Sequence, residues 1–149
     1  MRFQCYLPWP PTVNGIWRRS GTRIHKSPKY EQWRQGAALA LRQASPPRMI
    51  REPVSIELRL YGPSRASYDI DNRAKAVLDL LQSEEVIEDD RLVDRLVLLR
   101  GPIHKPNGFA HLTLDRMDSG VVELPDGTRA RIRLSESIKS HIDLPEALQ

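Results

Sequence analysis

A chain of 149 residues can bury one sizeable core but not two, and with 40% apolar and 28% charged residues it is neither a disordered polyelectrolyte nor a collagen-like repeat. Its one cysteine, Cys5, excludes an internal disulfide and a cysteine-cluster zinc site; no apolar run approaches the roughly 20 residues that span a bilayer, so a cytoplasmic protein without membrane contact is expected. The charge is lopsided. Residues 1–50 hold nine basic residues against Glu31 alone, net +8, leaving fourteen basic and eighteen acidic residues for 51–149, net −4. A basic third beside an acidic remainder points to a polyanion-binding surface next to an acidic region with another task.

In chain order, residues 2–7 read as a strand, closed by Pro8-Trp9-Pro10-Pro11, whose three prolines remove ladder donors. Thr12 to Ser27 reads as a loop carrying Asn14-Gly15, Ser20-Gly21 and, with His25, five basic side chains. Ser27-Pro28 is a helix cap followed by proline at the first helical position, and Tyr30, Trp33, Ala37, Ala40, Leu41 and Ala44 recur with helical spacing, so a helix spans about 28–44. Val54, Ile56, Leu58 and Leu60 alternate with polar residues, the period of a strand with one buried face. From Asn72 the period becomes helical through Ala74, Val77, Leu78 and Leu81, with Asp71 or Asn72 as cap and an end near Gln82. Leu92–Leu99 and Phe109–Leu114 flank a turn-rich segment and read as an antiparallel hairpin. A second hairpin follows Met117, from Val121–Leu124 and Ala130–Leu134 around Pro125-Asp126-Gly127, and the last residues form a short polar helix or fray. The predicted architecture is a single α+β domain: a mixed sheet with two main helices and an extra C-terminal hairpin.

Chemistry concentrates in the acids. Asp69-Ile70-Asp71-Asn72 lies where a loop becomes a helix; on extended backbone Asp69 and Asp71 share a side and Ile70 turns inward. Two adjacent carboxylates repel unless a cation neutralises them, one is protonated, or both are solvated. Lys75, four residues beyond Asp71, shares its helix face, and Glu88-Asp89-Asp90 supplies a third acid before the next strand. Oxygen donors without His or Cys suit Mg²⁺, or Mn²⁺, better than zinc, and such an ion keeps positions for water and a substrate phosphate that Lys75 would neutralise. The plainer reading of the same residues is a helix cap and a solvated acidic turn. His25, His104, His111 and His141 lack ligand spacing, and Ser64, Ser67 and Ser83 lack a nucleophile context. Trp9, Tyr30 and Trp33 read as core; Trp17, beside Arg18-Arg19 and near Arg23 and Lys26, reads as an aromatic ring in a basic strand-binding loop.

With Leu7-Pro8-Trp9-Pro10-Pro11 followed by Asn14, Asp69-Ile70-Asp71-Asn72 with Lys75, and Val86-Ile87-Glu88-Asp89-Asp90 leading into a strand, the chain resembles the RusA family of Holliday junction resolvases from about residue 3 to residue 117. The resemblance implies a small α+β homodimer that uses Mg²⁺ and aspartates to make paired nicks in a four-way DNA junction. It matches Asp69 and Asp71 to the paired catalytic aspartates, Asp90 to the third, with Asp89 as the other candidate, and Lys75 to the catalytic lysine. The three aspartates would ligate the metal, and Asn14, Trp17, Arg18, Arg19, Arg23 and Lys26 would contact DNA. A twofold junction suits a C₂ pair of identical sites. Two departures are visible: Tyr68 stands before the first aspartate where relatives often carry a basic residue, and residues 118–149 form an extension beyond a 1–117 endonuclease domain. The alternatives are a non-catalytic module for branched or single-stranded DNA and a metal phosphohydrolase acting on small nucleotides.

Overall fold

The structure, a computed structural model, describes residues 1–12 and 17–135, without the side chains of Trp17 and Arg18. Strand β1 (Arg2–Pro8) alternates strictly, burying Phe3, Cys5 and Leu7, and is followed by β2 (Trp17–Ser20) and β3 (Arg23–Lys26). Helix α1 (Pro28–Gln43) starts as the sequence predicts: the Ser27 hydroxyl accepts the Tyr30 amide at 3.1 Å, and Pro28 takes the first helical position. Its inner face buries Tyr30, Trp33, Ala37, Ala38 and Leu41. Strand β4 (Val54–Tyr61) and helix α2 (Ile70–Ser83) come next, then a short 3₁₀ turn (Asp90–Leu92), β5 (Val93–Arg100), β6 (Phe109–Glu123) and β7 (Arg129–Ser135).

The main sheet runs β1-β6-β4-β5, with β7 added to the far end of β6. Strand β4 is central: antiparallel to β6, with Ile56 opposite Leu114 and Leu58 opposite Leu112, and parallel to β5. Val54, Ile56, Leu58, Leu60, Ala110, Leu112 and Leu114 form one fully buried side, and both helices close the same core, α2 through Ala74, Ala76, Val77, Leu80 and Leu81. This is an α+β domain with a mixed sheet and two main helices, as predicted. None of the helices among the described residues is long and apolar enough to cross a membrane.

Three expectations are corrected. Residues 17–26 are not a loop but a hairpin, β2 pairing with β3 across a two-residue turn in which Gly21 has φ +60°, a left-handed conformation suited to glycine. Strands β5 and β6 do not pair with each other, because β4 lies between them; a helix between strands is what a parallel pair requires, and α2 supplies it for β4 and β5. The C-terminal hairpin is present, but its first strand is the continuation of β6 through residue 123 with no break at Met117. The predicted tail beyond Ser135 lies outside the described residues.

Candidate active site

Helix α2 begins at Ile70, earlier than Asn72, and this changes the acid pair. Asp69 is the extended residue at the N-cap, and Asp71 already sits in the first helical turn, so the two are not neighbours on one extended strand. Ile70 packs against the core, as expected, and fixes how the helix enters. The Asp69 carboxylate bonds no backbone amide of its own helix and instead accepts the Asn72 side-chain amide at 3.2 Å. Both acids are exposed at the positive end of a 14-residue helix, where the peptide dipoles favour negative charge. Asp71 makes no hydrogen bond or ion pair with the described residues.

From Asp71 the solvent face continues through Lys75 and Asp79, each four residues on. The Lys75 ammonium lies 2.8 Å from Asp79 and 3.1 Å from Asp90 rather than beside Asp71. Hydrogen bonds to Asp79 first, then to Asp90, hold its pKa above the usual lysine value, so it remains a cation. Asp79 is a member of this cluster that the sequence reading missed; its signal was the i,i+4 spacing from Lys75.

The acidic turn is anchored from below. Val86 and Ile87 are fully buried, Ile50 bridges to Ile87, and the amides of Met49, Ile50 and Glu88 bond across at 2.6, 2.9 and 3.0 Å. Asp89 caps the following 3₁₀ turn: its carboxylate accepts the Arg91 amide at 2.8 Å and the Arg91 Nε at 3.0 Å. The amide bond first and the guanidinium second hold that carboxyl below its ordinary range. With Asp89 occupied in this way, Asp90 is the acid that faces α2 through Lys75.

Tyr68 precedes this helix without a positive charge of its own, yet guanidinium groups gather on its ring. Arg100 lies 4.4 Å from the ring centre and donates to the Tyr68 carbonyl at 2.8 Å, and Arg73 lies 5.6 Å from the ring. Neither arginine was singled out from sequence. Trp33 is core, its indole donating to the Pro8 carbonyl at 3.0 Å, whereas Trp9 is only partly buried, with Tyr68 edge-on to it. In the basic hairpin, Arg19, Arg23 and Lys26 are all exposed. Asn14 and the side chains of Trp17 and Arg18 lie outside the described residues.

The described residues contain no group of three or more His, Cys, Asp and Glu side chains placed to hold one ion. Asp69 and Asp71 share the start of α2, and the Asp90 carboxylate meets that helix at Lys75, one turn beyond Asp71. The donors nevertheless fit a hard divalent cation: they are carboxylate oxygens alone, accessible, and near a fixed lysine. Mg²⁺ characteristically takes one or two carboxylates and completes its shell with water and substrate phosphate, so a closed three-acid cage is not required.

Comparison with known proteins bears on the same residues. The sequence model described as Endodeoxyribonuclease RusA matches residues 8–107, a span that holds Asp69, Asp71, Lys75 and Asp90. The chain is 28% identical over 117 residues to the crossover junction endodeoxyribonuclease RusA of Enterobacteria phage HK97, covering 78% of this chain and 97% of the relative. It is 31% identical over 111 residues to the protein of the same name in Escherichia coli K12, and 30% identical to that of Shigella sonnei, covering in each case 74% of this chain and 92% of the relative. The acid-bearing helix start, the lysine that ties it to the acidic turn, and a match across two thirds of the sequence together place this chain in the RusA endodeoxyribonuclease family.

Proposed function

We propose that the chain is a Mg²⁺-dependent, structure-selective endodeoxyribonuclease that resolves four-way DNA junctions by paired nicks, acting as a homodimer in the cytoplasm, with Mn²⁺ able to substitute. The observation that carries this reading is the Lys75 ammonium 3.1 Å from Asp90, which ties the acidic turn to the helix whose first turn bears Asp69 and Asp71. The names of the relatives support the junction as substrate. Residues 1–117 would form the endonuclease domain and 118–149 an extension.

Asp69, Asp71 and Asp90 would hold the divalent ion. When bound, the ion supplies charge neutralisation at the scissile phosphate and a more acidic water. Asp69 and Asp71 at the helix start would hold the ion where the phosphate approaches. Lys75, already a cation, offers its ammonium to a phosphate oxygen as negative charge builds up during attack. Asp79 holds Lys75 in place from one turn further along the helix. Away from the reaction, Asn14, Trp17, Arg18, Arg19, Arg23 and Lys26 would bind the arms of the junction, mainly through phosphate contacts that fix register without reading sequence. A C₂ pair of chains presents two such sites to two opposed strands.

Asp71→Asn keeps size and removes charge. It is expected to abolish nicking of a synthetic junction in Mg²⁺ while the gel-shift affinity in EDTA stays within a few-fold of the unaltered chain. Normal cutting by this variant would overturn the mechanism. Cutting by the unaltered chain in excess EDTA would overturn the metal requirement, and binding without cutting under any divalent ion would favour a non-catalytic DNA module.

A further inference from the structure

A cleft of about 380 Å³ opens between the Trp9–Thr12 segment and the start of α1, and the proposed function leaves it without a task. One wall is apolar and aromatic, from Trp9, Pro10, Tyr30 and Pro63; the cations on it are Lys29 and Arg73. Arg73 is the unusual member. Its Nη1 donates to the Pro10 carbonyl, its Nε is buried without a hydrogen-bond partner, and its guanidinium lies 4.5 Å from the Trp9 ring centre. No carboxylate among the described residues pairs with it. A partly desolvated guanidinium without a counter-charge is costly, and an anion entering beside it lowers that cost. Lys29 contributes a second charge from the first turn of α1, where the helix dipole also favours an anion.

The volume falls within the range of pockets that enclose small organic ligands, about 300–1,000 Å³, so a bare phosphate would leave most of the cleft empty. A flat aromatic group against the Trp9 and proline wall, with its phosphate at Lys29 and Arg73, suits both halves. The position agrees. Ser27, Lys29 and Tyr30 directly follow the basic hairpin that ends at Lys26, and Arg73 sits one helical turn beyond Asp69. Lys26, at the end of the hairpin, lies 5.2 Å from the centre of the Tyr30 ring that lines the cleft, and Arg73 belongs to the helix whose start bears Asp69 and Asp71, so the cleft adjoins both elements.

We infer that the cleft is a subsite for one unstacked nucleotide of the DNA substrate, with its base against the Trp9 and proline wall and its phosphate between Lys29 and Arg73. The inference rests on the endonuclease reading. It places a base-accepting pocket outside the metal-binding acids, using aromatic stacking and cations in the manner of single-strand binders.

The test titrates thymidine 3′,5′-bisphosphate into the full chain in EDTA, read by tryptophan fluorescence and by NMR, with inorganic phosphate and thymidine as separate arms. The bisphosphate is expected to bind at least about tenfold more tightly than either, to be displaced by a four-way junction, and to lose about tenfold or more in affinity in Lys29→Ala and in Arg73→Gln. Lys29 is exposed, so its variant decides the question even if Arg73→Gln unfolds, which circular dichroism would reveal. Inorganic phosphate binding as tightly as the nucleotide would reduce the cleft to an anion point. Unchanged nucleotide affinity in the folded variants, or nucleotide that stays bound under saturating junction, would overturn the subsite. Junction cleavage by the unaltered chain is measured alongside in Mg²⁺: its absence counts against the endonuclease reading, whereas cleavage without nucleotide binding overturns the subsite alone.

Discussion

Asp89 and Asp90 are adjacent and chemically identical, yet their surroundings give them different tasks. Asp89 accepts two hydrogen bonds from Arg91 as the cap of a 3₁₀ turn, while Asp90 accepts from Lys75 across to α2. Asp90→Asn is therefore expected to lower junction cleavage by no less than the roughly 10–100-fold typical of losing an outer-shell metal partner. Asp89→Asn, which preserves a capping side chain, should leave the cleavage rate within a few-fold; equal losses in the two variants, in a single-turnover assay, would remove the distinction. The sequence offered both acids because spacing alone does not say which carboxylate is consumed by local backbone. His111 gives a second residue-scale expectation. Its imidazole stacks on Tyr6 at 4.8 Å, and burial, opposed by Glu57 and aided by Arg59 and Arg2, pulls its pKa below the ordinary 6.5. The unfolded chain then binds more protons between the depressed value and 6.5, so stability is lost as pH falls through that window and is unaffected by this group above it. Thermal melts from pH 7.5 to 5 should show a shallower decline in His111→Gln than in the unaltered chain, although the variant is less stable at neutral pH.

At the scale of elements, what the chain buries was legible and what it pairs with was less so. Strands β1 and β4 and both helices follow from period and capping, because their apolar faces all meet one core. The partner of β5 was not legible from its own residues. An apolar strand after a helix can return beside the strand before that helix, and the turn-rich 101–108 segment drew attention to the wrong neighbour. The start of α2 was displaced for a related reason: Asn72 looks like a cap, but burial of Ile70 pulls the first turn back and leaves Asp69 as the extended residue. The β2–β3 hairpin was missed because its described side chains are exposed, so no burial alternation marks it; only Ser20-Gly21 signalled the turn. Two strands that pair only with each other are marginally stable in water. Amide hydrogen exchange over residues 19–26 is accordingly expected to be fast in the free chain and slowed at least about tenfold by a bound junction, while β4 stays protected in both states. Full protection of 19–26 without DNA, measured by mass spectrometry on peptic peptides, would show that the hairpin needs no ligand to be stable.

At the scale of the whole molecule, the exposed cations of the β2–β3 hairpin and the candidate acids lie on different elements of the described residues. The first third is net positive because it carries one acid against nine basic residues, with Arg19, Arg23 and Lys26 presented on a narrow ribbon, whereas the candidate acids lie at the start of α2 and in the turn before β5. Such a separation suits the cutting of DNA: carboxylates that would hold a divalent ion repel the phosphate they act on, so attraction must come from other parts of the chain. A two-stranded ribbon is narrow enough to enter a major groove, and in the proposed complex Arg19 and Arg23, on opposite faces of this one, would reach phosphates on both sides. Each phosphate contact releases condensed counterions and contributes about 0.9 to the slope of log affinity against log salt on duplex arms. Arg19→Ala with Arg23→Ala should therefore flatten that slope by about 1.8 per chain engaged, and weaken junction and linear duplex together, because these contacts position DNA without identifying it. Fluorescence anisotropy between 50 and 200 mM salt in EDTA measures both quantities. A variant with an unchanged slope that loses only its preference for the junction would mean that the ribbon recognises branch shape, and the affinity would then have to come from basic residues elsewhere in the chain.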